Sequence, residues 1–193
     1  MSSPWQIKSE TVYPAGSNPF DNRFYGYRST DLILPDGRPA TYHGVTIPDC
    51  LHIVAVEKDL TTYLVRQSRP NARALSGTAV PETLELPGGF KKAGIEMAAA
   101  ANAELSEEIG KRAGSLTLIG SLYPSPGVSN EVDSIYLGTD LTTVDAPVDV
   151  EATEQDMRIV AAPFGELYDS IIRGNQPASA QTLAAMAMAA TYL

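Results

Sequence analysis

Two stretches of sequence decide the fold of this chain: ELPGG at residues 85–89 and AELSEEIG at residues 103–110. The first ends in two glycines, whose backbone can approach a ligand closely because it carries no Cβ atom. The second completes a segment, Met97 to Ile109, that is rich in Ala, Leu and Glu, which are good helix formers. Because Gly110 is a natural helix stop, the sequence predicts a tight loop followed by a helix that ends at Ile109.

Three glutamates of this helix share one face. Residues at positions i, i+3 and i+4 are neighbours on a helix, so Glu104, Glu107 and Glu108 crowd their negative charges together. One interpretation is a solvated acidic face. The other is a binding site for a hard cation such as Mg²⁺, which prefers oxygen ligands and offsets the repulsion between the carboxylates.

The spacing of the two stretches favours the second interpretation. The Nudix box has the pattern G-x5-E-x7-R-E-U-x-E-E-x-G-U, in which U is a bulky apolar residue. The residues of this chain that are in register with it are Gly89, Glu104, Leu105, Glu107, Glu108 and Gly110. The chain therefore resembles the Nudix hydrolases over a stretch of 22 residues.

Three residues depart from that pattern. Ile95 stands in place of the first Glu, Ala103 in place of the Arg, and Lys111 in place of the last apolar residue. The resemblance implies that the Glu and the Arg are mainly structural. Because losing both members of an ion pair strands no charge, we interpret these departures as a repacked loop rather than a lost site.

Sequence on both sides of the box resembles the ADP-ribose pyrophosphatase branch of that family. The stretch LVRQSR at residues 64–69 is similar to the strand before the box, in which an arginine contacts the substrate, and Arg69 is the candidate. In that branch a proline about fifteen residues after the box marks specificity for ADP-ribose, and Pro126 lies fifteen residues after Lys111. The resemblance thus implies that Arg69, Glu85 and Pro126 bind substrate.

The resemblance also implies a metal site. Glu104 and Glu108 are the expected ligands, and Glu107 is an additional ligand or an orienting group. The carbonyl oxygen of Gly88 is a further expected ligand from the loop. Mg²⁺ is the expected cofactor, with Mn²⁺ as a substitute.

A second acidic segment, EATEQD at residues 151–156, precedes a predicted strand. In the resembling enzymes an E-x-E at this place supplies a catalytic carboxylate and a carboxylate linked to the metal. Here Glu154 is the candidate catalytic base, and Asp156 is the candidate for holding a metal through water. Glu151 stays open as the alternative base, and a solvated acidic loop stays open as the alternative to a site.

Together these residues imply hydrolysis of a diphosphate. Divalent cations neutralise the anionic oxygens that repel a nucleophile and lower the pKa of the attacking water, while a nearby carboxylate takes its proton. The expected reaction converts ADP-ribose and water to AMP and ribose 5-phosphate. The alternatives are another nucleotide sugar, such as a GDP- or ADP-sugar, and a catalytically impaired module that binds a nucleotide or a protein partner. Ile95 and Ala103 motivate the impaired module.

The rest of the chain predicts a mixed α/β fold. The segments His52 to Val56 and Thr61 to Gln67 predict a buried hairpin, and two helices are predicted near the C-terminus. The resemblance implies a Nudix-type α/β/α sandwich with a mixed sheet over residues 48–193. Residues 1–47 predict a small antiparallel sheet around the turn at Pro35-Asp36-Gly37. Because such a sheet has exposed edges, and because this region mediates dimers in the resembling branch, we expect a homodimer.

Composition excludes several other classes of protein. The 193 residues carry a net charge of −9, which argues against nucleic acid as a partner. Residues 113–156 hold no basic and eight acidic residues, so most of that charge lies in the stretch that contains the second acidic segment. The single cysteine forms no internal disulfide, no apolar run has the length of a membrane span, and no secretory signal is visible. We therefore expect a cytoplasmic protein that acts on a small nucleotide sugar without binding a membrane.

Overall fold

The computed structural model describes residues 6–14, 25–72, 80–91, 94–145 and 156–193. Contacts divide the chain into two compact units. The first unit contains the three N-terminal strands and the segment Tyr123–Val132, and the second contains Cys50–Leu122 and Asp133–Leu193. The predicted division into domains at residues 47 and 48 stays a prediction.

Strands outnumber helices in the described ranges. The strands are β1 (Gln6–Tyr13), β2 (Gly26–Ile33), β3 (Pro39–Thr46), β4 (Cys50–Val56), β5 (Thr61–Ser68), β6 (Glu82–Glu85), β7 (Gly88–Phe90), β8 (Lys111–Leu122), β9 (Asp133–Thr143) and β10 (Arg158–Pro163). The helices are α1 (Met97–Ile109), α2 (Phe164–Ile172) and α3 (Ala180–Ala189). In these ranges we find no helix with the length and apolar character that crossing a membrane requires.

The first unit is built on an antiparallel sheet with the strand order β1-β2-β3. Its second hairpin turns at Pro35-Asp36-Gly37, where Gly37 adopts a φ of +86° that favours glycine. The Leu34 N–H donates to the Arg38 carbonyl oxygen at 2.8 Å, which closes the turn. The small antiparallel sheet predicted from the sequence is confirmed.

The second unit is built on a mixed sheet of seven strands. The order of its main path is β10-β5-β4-β9-β8, while β6 pairs with β5 and β7 pairs with β4. Strands β4 and β9 run parallel, and the other pairs are antiparallel. The pair of β4 and β5 is the hairpin predicted from the sequence.

Strand β4 is buried on both faces, which requires helices on both sides of the sheet. Its residues Leu51, Ile53 and Ala55 pack in one cluster with the apolar side of α1. Its residues Val54 and Val56 pack in a second cluster with α2 and α3. The alternation follows from the two-residue period of a strand. The predicted α/β/α sandwich with a mixed sheet is therefore confirmed.

The backbone of the glycine loop differs from the sequence prediction. The sequence predicts a tight loop at residues 85–89, whereas Gly88–Phe90 form the short strand β7. They do so because their backbone pairs antiparallel with Cys50–His52 of β4. This pairing ties the loop to the central strand of the second unit.

The chain enters a strand directly after α1. Strand β8 begins at Lys111 because Gly110 adopts a φ of +64° and turns the chain out of the helix. The Lys111 amine donates to Glu57 at 3.0 Å and lies 5.2 Å from the centroid of the Tyr63 ring. The hydrogen bond to Glu57 raises the pKa of Lys111. A half-buried cation thus takes the place of the apolar residue of the box, with a carboxylate and a ring as partners.

Candidate metal and substrate site

The first turn of α1 explains one departure from the box. The Glu96 carboxylate accepts hydrogen bonds from the Ala98 and Ala99 N–H groups at 2.8 and 3.3 Å and caps the helix N-terminus. The preceding residue, Ile95, is exposed. The replacement of the first Glu of the box by Ile95 therefore leaves no buried, unpaired charge. The adjacent Glu96 defines where the helix begins.

The three glutamates of α1 differ in burial. Glu104 is buried, with 9% of its surface exposed, whereas Glu107 is exposed and Glu108 is intermediate. Glu104 and Glu108 lie one helical turn apart, and the buried Leu105 lies beside them against the sheet. The face that turns inward thus carries two of the three carboxylates.

These two carboxylates converge on the glycine pair. The Gly88 N–H donates to Glu108 Oε2 at 3.1 Å. A Cβ atom placed on Gly89 would lie 2.7 Å from the carboxylate carbon of Glu104, so a larger residue would displace that carboxylate. We call the arrangement of Gly88, Gly89, Glu104 and Glu108 the glycine–glutamate cradle.

The position of the cradle is set by β4. In the pairing of β4 with β7, Leu51 is opposite Gly89 and His52 is opposite Gly88. A Cβ atom on Gly88 would lie 2.2 Å from the Leu51 carbonyl oxygen, which leaves no room for a side chain. The sequence folds this way locally because only glycine lets two backbones and a helix meet so closely.

The chemistry of the cradle fits a hard divalent cation. Mg²⁺ takes oxygen ligands in octahedral geometry and is usually bound by one or two carboxylates together with substrate phosphates. Glu104 and Glu108 supply two carboxylates, which lie against the backbone of Gly88 and Gly89. Of the residues expected to hold a metal, the structure brings together Gly88, Glu104 and Glu108, and it leaves Glu107 exposed on the same helix.

Arg69 and Glu85 form a second group of charged residues. Arg69 Nε donates to Glu85 Oε1 at 2.7 Å, and Arg69 Nη2 contacts the other oxygen. Glu85 also accepts from Thr83 Oγ1 at 2.5 Å and from Gln67 Nε2 at 3.2 Å. Its side chain is 17% exposed, against 48% for Arg69. The structure thus places the acceptor inside, with the guanidinium towards solvent.

Electrostatics keep Glu85 ionised. Burial alone would raise the pKa of its carboxyl, but the hydrogen bonds from Arg69 and Thr83, together with the charge of Arg69, outweigh burial and lower the pKa below 4.5. Three side chains donate hydrogen bonds to this carboxylate, which suits a group that orients Arg69. The predicted contact of Glu85 with substrate stays a prediction.

Asp156 lies at the end of β5. Its Oδ2 accepts a hydrogen bond from the Ser68 N–H at 3.2 Å, and hydrogen bonding by Ser68 lowers the pKa of its carboxyl. Asp156 is exposed, and its predicted link to a metal stays a prediction. Glu151 and Glu154, the candidate bases, lie outside the described residues.

Pro126 belongs to the first unit. It lines a cavity of about 580 Å³ together with residues of the small sheet such as Arg28 and Tyr42. The segment that carries Pro126 is attached to β3, because the Val45 N–H donates to the Val128 carbonyl oxygen at 2.7 Å. Its predicted role in substrate binding stays a prediction.

Sequence reasoning missed the pairing of His52 with Asp133. The sequence analysis assigns neither residue a role in the site, whereas His52 Nε2 lies 3.2 Å from Asp133 Oδ2. The signal in the sequence is weak, because each is an ionisable residue beside a short apolar run. The contact arises from the parallel pairing of β4 with β9, which local patterns do not encode.

Comparison with known proteins gives sequence relatives and a fold. No family model matches the chain. It is 30% identical over 124 residues to an ADP-ribose pyrophosphatase of Bacillus subtilis (strain 168), a match that covers 64% of this chain and 63% of the relative. The match thus spans less than two thirds of that relative's length. It is 28% identical over 169 residues to an ADP-ribose pyrophosphatase of Mycobacterium tuberculosis (strain ATCC 25618 / H37Rv), which covers 87% of this chain and 74% of the relative.

A solved structure shares the fold along the whole chain. The crystal structure of an ADP compounds hydrolase superposes with a TM-score of 0.77 at 20% identity, over 100% of this chain and 97% of the other. The sequence relatives bear the name of the branch that the box and its flanks resemble. The chain therefore has the fold of an ADP compounds hydrolase and is similar in sequence to two ADP-ribose pyrophosphatases.

Proposed function

We propose that this protein is a Mg²⁺-dependent hydrolase that cleaves the diphosphate of a nucleoside diphosphate sugar, with ADP-ribose as the first candidate substrate. The observation that carries the proposal is the convergence of the Glu104 and Glu108 carboxylates on Gly88 and Gly89. The names of the two sequence relatives support the choice of ADP-ribose.

The residues of the cradle would hold the cation. Glu104 and Glu108 are the proposed carboxylate ligands, and the Gly88 carbonyl oxygen is the proposed ligand from the loop. Glu107, which is exposed on the same helix, is a further ligand or orients water. When bound, the cation neutralises diphosphate oxygens and acidifies the attacking water. A bound cation would also reduce the repulsion between the Glu104 and Glu108 carboxylates, which lie one helical turn apart.

Two further groups complete the proposed site. Arg69 binds an anionic group of the substrate, because its guanidinium is half-exposed and is held in one orientation by Glu85. A carboxylate from residues 151–156 takes the proton from the attacking water, with Glu154 as the first candidate and Glu151 as the alternative. Asp156 supports the metal through water. Cleavage of ADP-ribose then yields AMP and ribose 5-phosphate.

A substrate panel tests this proposal. The protein is incubated with ADP-ribose, with other ADP-sugars and with GDP-sugars, each with Mg²⁺ and with EDTA, and released phosphomonoester is assayed. We expect cleavage of ADP-ribose that requires Mg²⁺ and is also supported by Mn²⁺. Cleavage of a GDP-sugar alone would contradict the choice of substrate, and tight nucleotide binding without turnover of any substrate would favour an impaired binding module.

We also propose that the small sheet of the first unit mediates a homodimer. Large apolar residues of β1–β3 are exposed: Ile7, Val12, Tyr13, Tyr27 and Tyr42. Burying such a surface against a second copy is favourable. Light scattering is expected to give twice the chain mass of 20.6 kDa, and the chain mass itself would contradict the dimer.

A further inference from the structure

A pair formed by the partly buried His52 and the buried Asp133 adjoins the glycine–glutamate cradle through the pairing of His52 with Gly88, and the proposed function does not use it. His52 Nε2 and Asp133 Oδ2 are 3.2 Å apart. Asp133 is fully buried, whereas the side chain of His52 is 20% exposed. The pair forms because β4 and β9 run parallel with Cys50 opposite Asp133, so His52, two residues along, lies on the same face of the sheet.

The burial of the Asp133 carboxylate lowers the stability of the folded protein. Its second oxygen, Oδ1, is buried and has no hydrogen-bond partner within the described ranges. A buried polar atom without a partner lowers stability, and a buried carboxylate lowers it more than a neutral amide of the same shape. Packing alone would be better served by an apolar residue at this position. The carboxylate therefore calls for a role beyond packing.

The other side of the imidazole ring faces the cradle. A Cβ atom placed on Gly88 would lie 2.9 Å from His52 Nδ1 and 3.0 Å from His52 Cα. The ring therefore occupies the place that a side chain at Gly88 would take, and the Gly88 N–H donates to Glu108 Oε2 at 3.1 Å. Gly88 thus neighbours His52 on one side of the pairing and Glu108 on the other.

We propose that Asp133 and His52 are positioning residues for the cradle. Asp133 accepts a hydrogen bond from the Nε2–H of His52, which selects one tautomer and fixes the plane of the ring. The fixed ring holds the Gly88 peptide so that its N–H faces Glu108 and its carbonyl group keeps one direction. Asp133 touches neither the substrate nor the cation and acts only through His52.

This inference rests on the proposed function for its effect on metal binding, but it makes a separate claim about the Gly88 peptide. The variants are Asp133→Asn, which keeps the shape and removes the charge, and His52→Gln, which keeps a donor but not the ring. Asp169→Asn on α2 is the matched control, because the Asp169 side chain is 64% exposed. The double variant Asp133→Asn/His52→Gln tests whether Asp133 acts through His52.

Two measurements are made on each protein. Mn²⁺ affinity is measured by electron paramagnetic resonance, and the Gly88 amide resonance is followed by NMR without metal, with Tm recorded alongside. We expect both single variants to weaken Mn²⁺ binding about tenfold or more and to shift the Gly88 amide resonance. The Tm of Asp133→Asn is expected to equal or exceed that of the wild type, since a buried charge is removed. The double variant is expected to lose no more affinity than His52→Gln alone.

Three results would overturn the inference. One is wild-type Mn²⁺ affinity and an unmoved Gly88 resonance in both single variants. The second is additive loss in the double variant, which would mean that Asp133 does not act through His52. The third is a lowered Tm of Asp133→Asn with unchanged Mn²⁺ affinity, which would indicate a purely structural pair. A wild-type protein that binds no Mn²⁺ while the variants still shift the Gly88 resonance would instead overturn the proposed function and leave the positioning claim supported.

Discussion

Glu85 and the glutamates of the cradle are the same residue type in two different surroundings. The Glu85 carboxylate is surrounded by Arg69, Thr83 and Gln67, which donate hydrogen bonds to it. The Glu104 and Glu108 carboxylates instead lie one turn apart against the backbone of a glycine pair. Both places are largely buried, so burial alone does not separate them.

The role of a buried carboxylate therefore depends on the groups that surround it. Arg69, a cation of the chain itself, donates to Glu85, and we propose that Glu85 orients this guanidinium. The cradle brings two like charges together, and an added divalent cation would compensate them. We therefore expect substitutions of Glu85 and of the cradle glutamates to affect different steps.

The largest effect is expected in the cradle. Glu108→Gln keeps the shape of the side chain but removes a charge that the cation requires. We expect kcat/KM for ADP-ribose to fall at least about a hundredfold with Mg²⁺. The matched control is Glu166→Gln in the first turn of α2 of the second unit, which should retain wild-type activity. Retained activity in Glu108→Gln would show that the cradle is not the metal site.

The second-largest effect on metal binding and activity is expected at Gly89, where the cradle leaves no room for a Cβ atom. Gly89→Ala would push its methyl group into the Glu104 carboxylate, and we expect Mn²⁺ affinity and activity to fall about tenfold or more. Gly165→Ala on α2 is the control, since nothing lies within 4 Å of the added methyl group. It is expected to leave activity unchanged and to raise stability by about 0.5–1 kcal/mol. Equal behaviour of the two variants would contradict the close fit at Gly89.

A smaller effect on activity is expected at the pair formed by Arg69 and Glu85. Arg69→Ala removes the proposed contact with an anionic group of the substrate, and we expect KM to rise about tenfold with a smaller change in kcat. Glu85→Gln leaves Arg69 in place but loosens it, so its KM should rise less. A steady-state comparison of the two variants checks the order. A larger loss in Glu85→Gln than in Arg69→Ala would mean that Glu85 itself binds substrate.

The smallest effect concerns stability and pH. The pKa of Glu85 is lower in the folded protein than its usual value of 4.5, so ionised Glu85 stabilises the fold above that pH. The contribution is lost as the pH falls through the folded-state pKa. We expect Glu85→Gln to cost about 1–3 kcal/mol of unfolding free energy at pH 7 and less below pH 4.5. Urea unfolding at several pH values measures this difference, and a difference that grows towards low pH would contradict it.

Local sequence patterns predict the parts of this structure that depend on neighbours in the chain. The bounds of α1 at Met97 and Ile109 follow from helix formers and the stop at Gly110. The β4–β5 hairpin follows from two short apolar runs joined by a turn. These elements are encoded within a few residues, and the structure has them as predicted.

Patterns fail where distant segments meet. The short strand β7 exists because Gly88–Phe90 pairs with β4, and the His52–Asp133 contact joins residues 81 positions apart. The compensation of Glu85 by Arg69 depends on the pairing of β5 with β6. Motif matching assigns Glu85 to substrate, but only the pairing of those strands reveals how many donors surround it.

Direct metal binding tests the central claim, which is that Glu104 and Glu108 hold a divalent cation that Glu85 does not. Mn²⁺ is titrated into the wild type, into Glu104→Gln/Glu108→Gln and into Glu85→Gln, with bound metal followed by electron paramagnetic resonance. We expect saturable binding in the wild type and in Glu85→Gln, and its loss in the double variant. Undiminished binding in the double variant would mean that Glu104 and Glu108 do not hold the cation.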